Sequence, residues 1–578
     1  MQSRFVAFTS LGRKALPNHY DLFAFALVFA AFIAVTHVSH GVTLPLTAPE
    51  STVVSLDYKL LPYYALRTTL RMFAAIGASL VFTFVYATLA AKSRRAALVL
   101  IPLLDVLQSV PILGFLSFTV TFFLGLFPGS ILGAECAAVF AIFTSQAWNM
   151  AFSFYQSLRS VPRDLIEVAR GFGLSWWQRF WQLETPFAMP GLIWNMMMSM
   201  SGGWFFVVAS EAIAVGDTTI KLPGIGSYLA LAIEDKRIDA VFAAIITMLA
   251  VIIAYDQLLF RPLVAFAARF RVELSAGQTQ EKSLVAQVFA RTRWMRALMR
   301  GPGELFQAIA LLRMELPLRT SAPGSQSPAL SRVIDIVWVV FIGLATIWAG
   351  WLIIDYMRQE LSVSDVLQSV LYTIFTMVRV ILLLALATLV WVPVGVWIGL
   401  RPALAEKVQP LAQFLAAFPA NVVFPIAVVL IVRFSLNPDI WLSFLIIFGT
   451  QWYILFNVIA GATAFPNDLK EAVSNFRIRG WNWWKNVIIP AIFPYYVTGA
   501  LTASGGSWNA SIVAEYVKWG NDTVSAHGIG AYIAEATADG DYPKIVLGVA
   551  MMSIFVIMFN RLLWRPLYAL AERRLRLD

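Results

Sequence analysis

Few side chains in this sequence are suited to metal or thiol chemistry. His19, His37, His40 and His527 are too few and too scattered to read as metal-ligand spacing, and the single Cys136 allows no internal disulfide. Gly-Lys does not occur as a dipeptide, so the G-x-x-x-x-G-K-[ST] phosphate loop is absent. What remains are charges set inside apolar stretches: Arg71, Arg379, Glu211 and Glu515. A charge at membrane depth is costly and usually faces a bundle interior, a partner or water. Arg71 lies roughly 10 Å along its stretch at 1.5 Å per residue, and Arg379 holds the equivalent place. Two readings stand for this pair, a solute path or snorkelling of the long stems to the headgroups. Glu211 and Glu515, near the ends of their stretches, either pair with those arginines or touch solute. With a small anion as solute, the arginines supply a positive field, and Ser109, Trp204, Trp508 and Asn509 supply shape and hydrogen bonds.

The elements that must position these groups are membrane helices. Of the 578 residues 59% are hydrophobic and 13% charged, with a mean hydropathy of +0.73, against about a quarter charged in soluble domains. Stretches long enough to cross ~30 Å of hydrocarbon fall at 22–38, 64–91, 98–126, 131–155, 187–215 and 240–260, and again at 334–354, 367–400, 408–432, 440–463, 491–515 and 545–563. An all-α polytopic protein of about twelve spans is expected. No small-residue cleavage site follows the first stretch, which reads as a retained helix. The formal charge of +10 fits basic cytoplasmic loops better than nucleic-acid binding. Lys92, Arg94, Arg95, Arg159, Arg163, Arg170, Arg179, Arg573, Arg574 and Arg576 then lie inside, and both termini are cytoplasmic. Segments 39–62, 216–239, 355–365 and 516–541 become outer loops.

The chain repeats itself. Pro162 pairs with Pro466, Glu167 with Glu471, Pro186 with Pro490, Trp204 with Trp508 and Glu211 with Glu515, all 304 residues apart; upstream, Arg71, Pro102 and Pro111 match Arg379, Pro410 and Pro419 at 308. With an even number of spans per unit, the two copies enter the membrane in the same direction and are related by a pseudo-twofold axis along its normal. The expected division is a first unit at 1–263, a basic linker at 264–332 and a second unit at 333–578. Within the linker, 284–300 reads either as a basic amphipathic helix on the inner leaflet or as a solvated connection. The repeat is imperfect: Gln108-Ser-Val-Pro111 faces Ala417-Phe-Pro-Ala-Asn421, and His527 replaces Pro223. Such differences favour a path that is not strictly twofold, and they add Asn421 to its candidate lining.

Between the fourth and fifth stretches the first copy reads Pro162-Arg-Asp-Leu-Ile-Glu-Val-Ala-Arg-Gly-Phe-Gly173, then Leu183-Glu-Thr-Pro186. This resembles the EAA loop of binding-protein-dependent ABC importer permeases, with Glu167, Ala169, Gly173, Leu183 and Pro186 in the family's places. The second copy offers Asp468, Glu471, Ala472 and Pro490, but Arg477 stands where the family has glycine. Physically, proline can start a short helix, Asp164 and Asp468 sit near its positive end, and glycine permits the left-handed bend into the next turn. An arginine there implies a different bend or one displaced to Gly480. The resemblance implies a coupling knob in each half that seats in a groove on a separate ATPase. Two ATPase subunits holding ATP-Mg, an extracytoplasmic solute-binding protein and a bacterial inner-membrane location follow from it, with no cofactor or catalysis in this chain. Trp204 before Glu211 with Gly224-Ile-Gly226, and Trp508 before Glu515 with Gly528-Ile-Gly530, resemble the nitrate, sulfonate, taurine and bicarbonate branch. A secondary transporter also accommodates a parallel repeat, but has no use for two cytoplasmic knobs.

Overall fold

The computed structural model describes residues 54–215, 218–267, 270, 300–314, 328–465, 467–520 and 522–574. The expected span at 22–38 and nearly all of the linker segment at 284–300 lie outside the described residues.

In the first half, α1 (Leu61–Lys92), α2 (Arg94–Ser109), α3 (Leu116–Leu126) and α4 (Ile131–Arg159) precede a short helix α5 (Arg163–Gly171) and the long α6 (Thr185–Glu211). An antiparallel hairpin follows, β1 (Ala212–Val215) with β2 (Thr218–Lys221), then α7 (Ile225–Glu234) and α8 (Ile238–Tyr255). The linker contributes α9 (Arg300–Leu311). The second half begins with α10 (Pro328–Glu360) and repeats the order: α11 (Val363–Gly399), α12 (Pro402–Ala417), α13 (Phe424–Arg433), α14 (Pro438–Phe448), α15 (Gln451–Thr463), α16 (Asn467–Asn475) and α17 (Ile489–Ala514). The hairpin β3 (Tyr516–Trp519) and β4 (Asp522–Ser525), α18 (Ile529–Asp539) and α19 (Tyr542–Phe559) close it.

Among the described residues eight helices are long and apolar enough to cross a membrane, nine if the α14–α15 pair, bent by 41°, is one span. The expectation of unbroken spans at 98–126 and 408–432 is corrected. Each stretch breaks at a proline, Pro111 or Pro419, which cannot donate to the preceding turn, and passes through a 3₁₀ turn, Ile112–Phe115 or Ala420–Val422. Apolar composition continues through these elbows, so hydropathy alone does not register them. Of the segments expected as outer loops, 218–234 supplies β2 and α7, and the described part of 516–539 supplies β3, β4 and α18; Ile225, Tyr228, Ile529 and Ile533 of the two short helices are buried.

Local chemistry fixes the ends. Ser130 accepts from Leu132 N at 3.2 Å and caps α4, while Asn437 caps α14 through Asp439 N at 2.9 Å. Before α6 and before α17 the helix swells into a π turn, Phe180–Glu184 and Trp484–Ile488; a second pair, Asp256–Phe260 and Asn560–Trp564, follows α8 and α19. One continuous apolar core runs through both halves, with Trp204, Tyr228, Phe154, Phe424 and Trp508 among its largest buried side chains. The apolar window of α10 contributes nothing to that core.

Candidate functional site

Two constructions stand out, one at each end of the long helices α6 and α17. At the start of α6 is the knob. α5 opens after Pro162 with Asp164 in its first turn, and closes with Gly173 N donating to Arg170 O at 2.9 Å and Leu174 N to Ala169 O at 3.1 Å. This is a Schellman closure, whose next residue takes a left-handed conformation; Gly173 has φ 66°. The second knob closes identically, Arg477 N to Ser474 O at 3.0 Å and Ile478 N to Val473 O at 3.1 Å, with Arg477 at φ 52°. The expectation of a different or displaced bend is therefore corrected: arginine adopts the glycine conformation, and Gly480, φ 62°, adds a further positive-φ turn at the start of the next helical segment. Schellman bonds outweigh the ~1 kcal/mol local cost of a left-handed side-chain residue.

Asp164, Glu167 and Glu471 are exposed, Ala169 is buried, and Ala472, Pro186 and Pro490 are half-buried; the side chain of Asp468 lies outside the described set. Phe172 and its repeat mate Phe476 are 79% and 80% exposed, a signal available from their shared offset but absent from the sequence reading. The knobs differ in surroundings. Trp177 Nε1 and Gln178 Nε2 donate to Ile309 O and Leu311 O, at 2.6 and 2.8 Å, and so cap the linker helix α9. The corresponding Trp481 is 71% exposed.

At the far end of α6 is a buried ion cluster. Arg71 grips Glu135 through Nε and Nη2 at 2.6 and 2.7 Å and reaches Glu211 through Nη1 at 2.7 Å; Arg67 adds a bond to Glu135 at 2.6 Å. The two arginines and two carboxylates balance in charge. Glu211 also accepts from Thr68 Oγ1 at 2.6 Å and Gly226 N at 2.7 Å, so its carboxylate caps α7. That explains Gly224-Ile-Gly226: a Cβ on Gly224 would lie 2.3 Å from the carboxylate, and one on Gly226 2.3 Å from Val208 O. The second half repeats the arrangement, with Arg379 on Glu515 at 3.0 Å and on Asp439 at 2.7 Å, Thr376 on Glu515 at 2.8 Å and Gly530 N on Glu515 at 2.8 Å. Here His527 donates its backbone N–H to Asp439 at 2.8 Å and brings its ring to 3.0 Å from the same carboxylate. Glu135 and Asp439, missed in the sequence reading, share the 304-residue offset. A carboxylate at one offset, inside the apolar stretch of the first copy and at the edge of that of the second, was the available signal.

Arg71 with Glu211 and Arg379 with Glu515 are thus brought together as ion pairs. Trp204 and Trp508 sit in the core, each 2% exposed. Asn421 Nδ2 donates to Phe205 O at 3.1 Å, and Asn509 Oδ1 accepts from Ile112 N at 2.8 Å, so these two candidates join the proline elbow of each half to the long helix of the other. The side chain of Ser109 lies outside the described set. No group of three or more His, Cys, Asp or Glu able to hold a metal occurs among the described residues.

Two knobs, two long helices and two ion clusters in tandem define a duplicated membrane permease. The family model for the binding-protein-dependent transport system inner membrane component matches the chain twice, at residues 79–261 and 391–577, and the chain belongs to that family as a fused, tandem permease, a non-catalytic subunit. Among similar proteins are the bicarbonate transport system permease protein CmpB of Synechococcus elongatus, 30% identical over 189 residues, 33% of this chain and 65% of the relative. The nitrate import permease protein NrtB of Leptolyngbya laminosa is 25% identical over 31% of this chain and 60% of its own. The glycine betaine/proline betaine permease protein ProW of Escherichia coli is 32% identical over 24% of this chain and 36% of its own. The matches therefore cover less than two thirds of each relative's length.

Proposed function

We propose that the chain is the membrane-spanning part of an ATP-driven importer, in which solute passes between a first unit at 1–263 and a second at 333–578, joined by the linker at 264–332. The knobs at Asp164–Gly173 and Asp468–Arg477 each engage one of two separate cytoplasmic ATPase subunits, which bind ATP-Mg. A solute-loaded binding protein docks on the opposite face. Both termini and the linker are cytoplasmic, in a bacterial inner membrane. One observation carries this reading: each knob runs through a π turn into a single long helix that ends in a buried ion cluster. Closure of an ATPase pair would move each helix as a rigid lever.

The solute proposed is a small anion such as nitrate, a sulfonate or bicarbonate, in keeping with the names of the relatives. Arg71 and Arg379 then act by holding the outer ends of the levers, together with Glu211 and Glu515, rather than by meeting the solute. Reconstitution with the partner ATPase and binding protein tests the proposal: ATP-dependent accumulation of labelled nitrate or bicarbonate in vesicles is expected. Accumulation driven by an ion gradient without ATP would overturn it.

A further inference from the structure

The two halves do not meet symmetrically. On α6, Trp194, Met198, Ser201 and Phe205 recur at helical spacing and form one face. The second half meets that face: Trp194, still 38% exposed, stacks on Phe456 at 5.7 Å, Ser201 Oγ bonds Tyr453 OH, and Phe205 O takes the bond from Asn421. Gln413 Nε2 adds a contact to Met197 Sδ at 2.7 Å. Ser201 and Tyr453 are 7% and 8% exposed.

The repeat places Thr498, Thr502, Gly505 and Asn509 of α17 on the corresponding face, and Asn149 and Gln108 where the second half has Tyr453 and Ala416. Here the contact is open. Thr498, Thr502, Gly505 and Gln108 are exposed, nothing lies within 4 Å of a Cβ built on Gly505, and Gln108 Nε2 donates to Asn149 Oδ1 at 2.7 Å. Four substitutions separate the two sides. Ser201 becomes Gly505, Met198 becomes Thr502, Tyr453 becomes Asn149 and buried Ala416 becomes Gln108. The buried or half-buried members lie on one side, and the other side holds a glycine, a hydroxyl and two amides. Toward the hairpins both sides close, through Asn421 on Phe205 O and Ile112 N on Asn509. The opening on this side therefore ends at the proline elbows.

We infer that the solute passes off the pseudo-twofold axis, between the Thr502–Gly505 face of α17 and the Gln108–Asn149 pair of α2 and α4. Its donors there are the amide groups of Gln108 and Asn149, not arginine, since the Thr502 hydroxyl already donates to Thr498 O at 2.9 Å; amide donors suit a small solute rich in hydrogen-bond acceptors. This rests on the importer reading above, whose knob ends face the cytoplasm.

Single-cysteine variants in a Cys136→Ala background test it, in inside-out vesicles treated with a membrane-impermeant anionic methanethiosulfonate. Gly505→Cys and Thr502→Cys are expected to react at least tenfold faster than their mates Ser201→Cys and Met198→Cys. Equal or reversed rates would overturn this path. So would labelling of Gly505→Cys by a lipophilic maleimide but not by the anionic reagent, which would place that face in lipid. Labelling is read without transport, so absent ATP-driven uptake would tell against the importer reading alone.

Discussion

Replacing Glu135 with alanine removes three short bonds from two buried guanidinium groups. Arg67 keeps a bond to Tyr63 OH at 3.3 Å, and Arg71 keeps Glu211, so one positive charge is left without a counter-charge at a site where both arginines are 3% exposed. Breaking a buried pair in this way costs about 3–5 kcal/mol. Asp439→Ala is the matched control in the second half. The Asp439 side chain is 39% exposed, and Arg379 retains Glu515 at 3.0 Å; partly exposed pairs contribute about 1 kcal/mol or less. The two variants should therefore differ by roughly 2–4 kcal/mol, a factor of ~30 to several hundred in the unfolding equilibrium. Titration of the detergent-solubilised protein with dodecyl sulfate, followed by tryptophan fluorescence, reads this difference. Equal losses, or a Glu135→Ala loss under about 1 kcal/mol, would refute the view that the cluster is a structural lock. An intact fold with altered uptake would return Arg71 to the solute path.

Arg477→Gly should stabilise the protein by about 1 kcal/mol by relieving a left-handed residue, and Gly173→Ala should cost a similar amount; both are read in the same titration. Because the two knobs share one backbone bend, Glu167→Ala and Glu471→Ala should lower solute-stimulated ATPase activity of the reconstituted complex comparably, with the protein still folded in the membrane. Purified alone, the chain should hydrolyse no ATP, and turnover should appear when the ATPase partner is added. A topology reporter fused near Ser325 should read cytoplasmic and one near Glu234 periplasmic; a periplasmic signal at the linker would break the parallel repeat.

Much of this architecture is legible because duplication writes the same residue types twice. The offsets of Arg71 with Arg379 and Glu211 with Glu515 single out the ion clusters without coordinates, and the Gly-x-Gly pairs mark the cradle even before its occupant is known. Glu135 escaped because one carboxylate barely lowers the mean hydropathy of its stretch. Pro111 and Pro419 are visible as residues, but whether a proline kinks a span or ends it depends on what accepts the freed groups. Arg477 misleads for a different reason. Local propensity opposes its left-handed φ, whereas the closing bonds to Val473 and Ser474 decide the outcome.

The π turns at Phe180–Glu184 and Trp484–Ile488 each take up one extra residue between knob and lever. In the first, Thr185 N donates to Phe180 O, a ring that holds one residue more than an α-helical turn. Successive residues of a helix are turned about 100°. The wider turn absorbs the extra residue and so keeps the knob in phase with the buried face of the lever, whereas the same residue added to a plain helix would swing the knob by about that angle. The register between knob and lever is thus kept by a local widening of the helix, invisible to hydropathy.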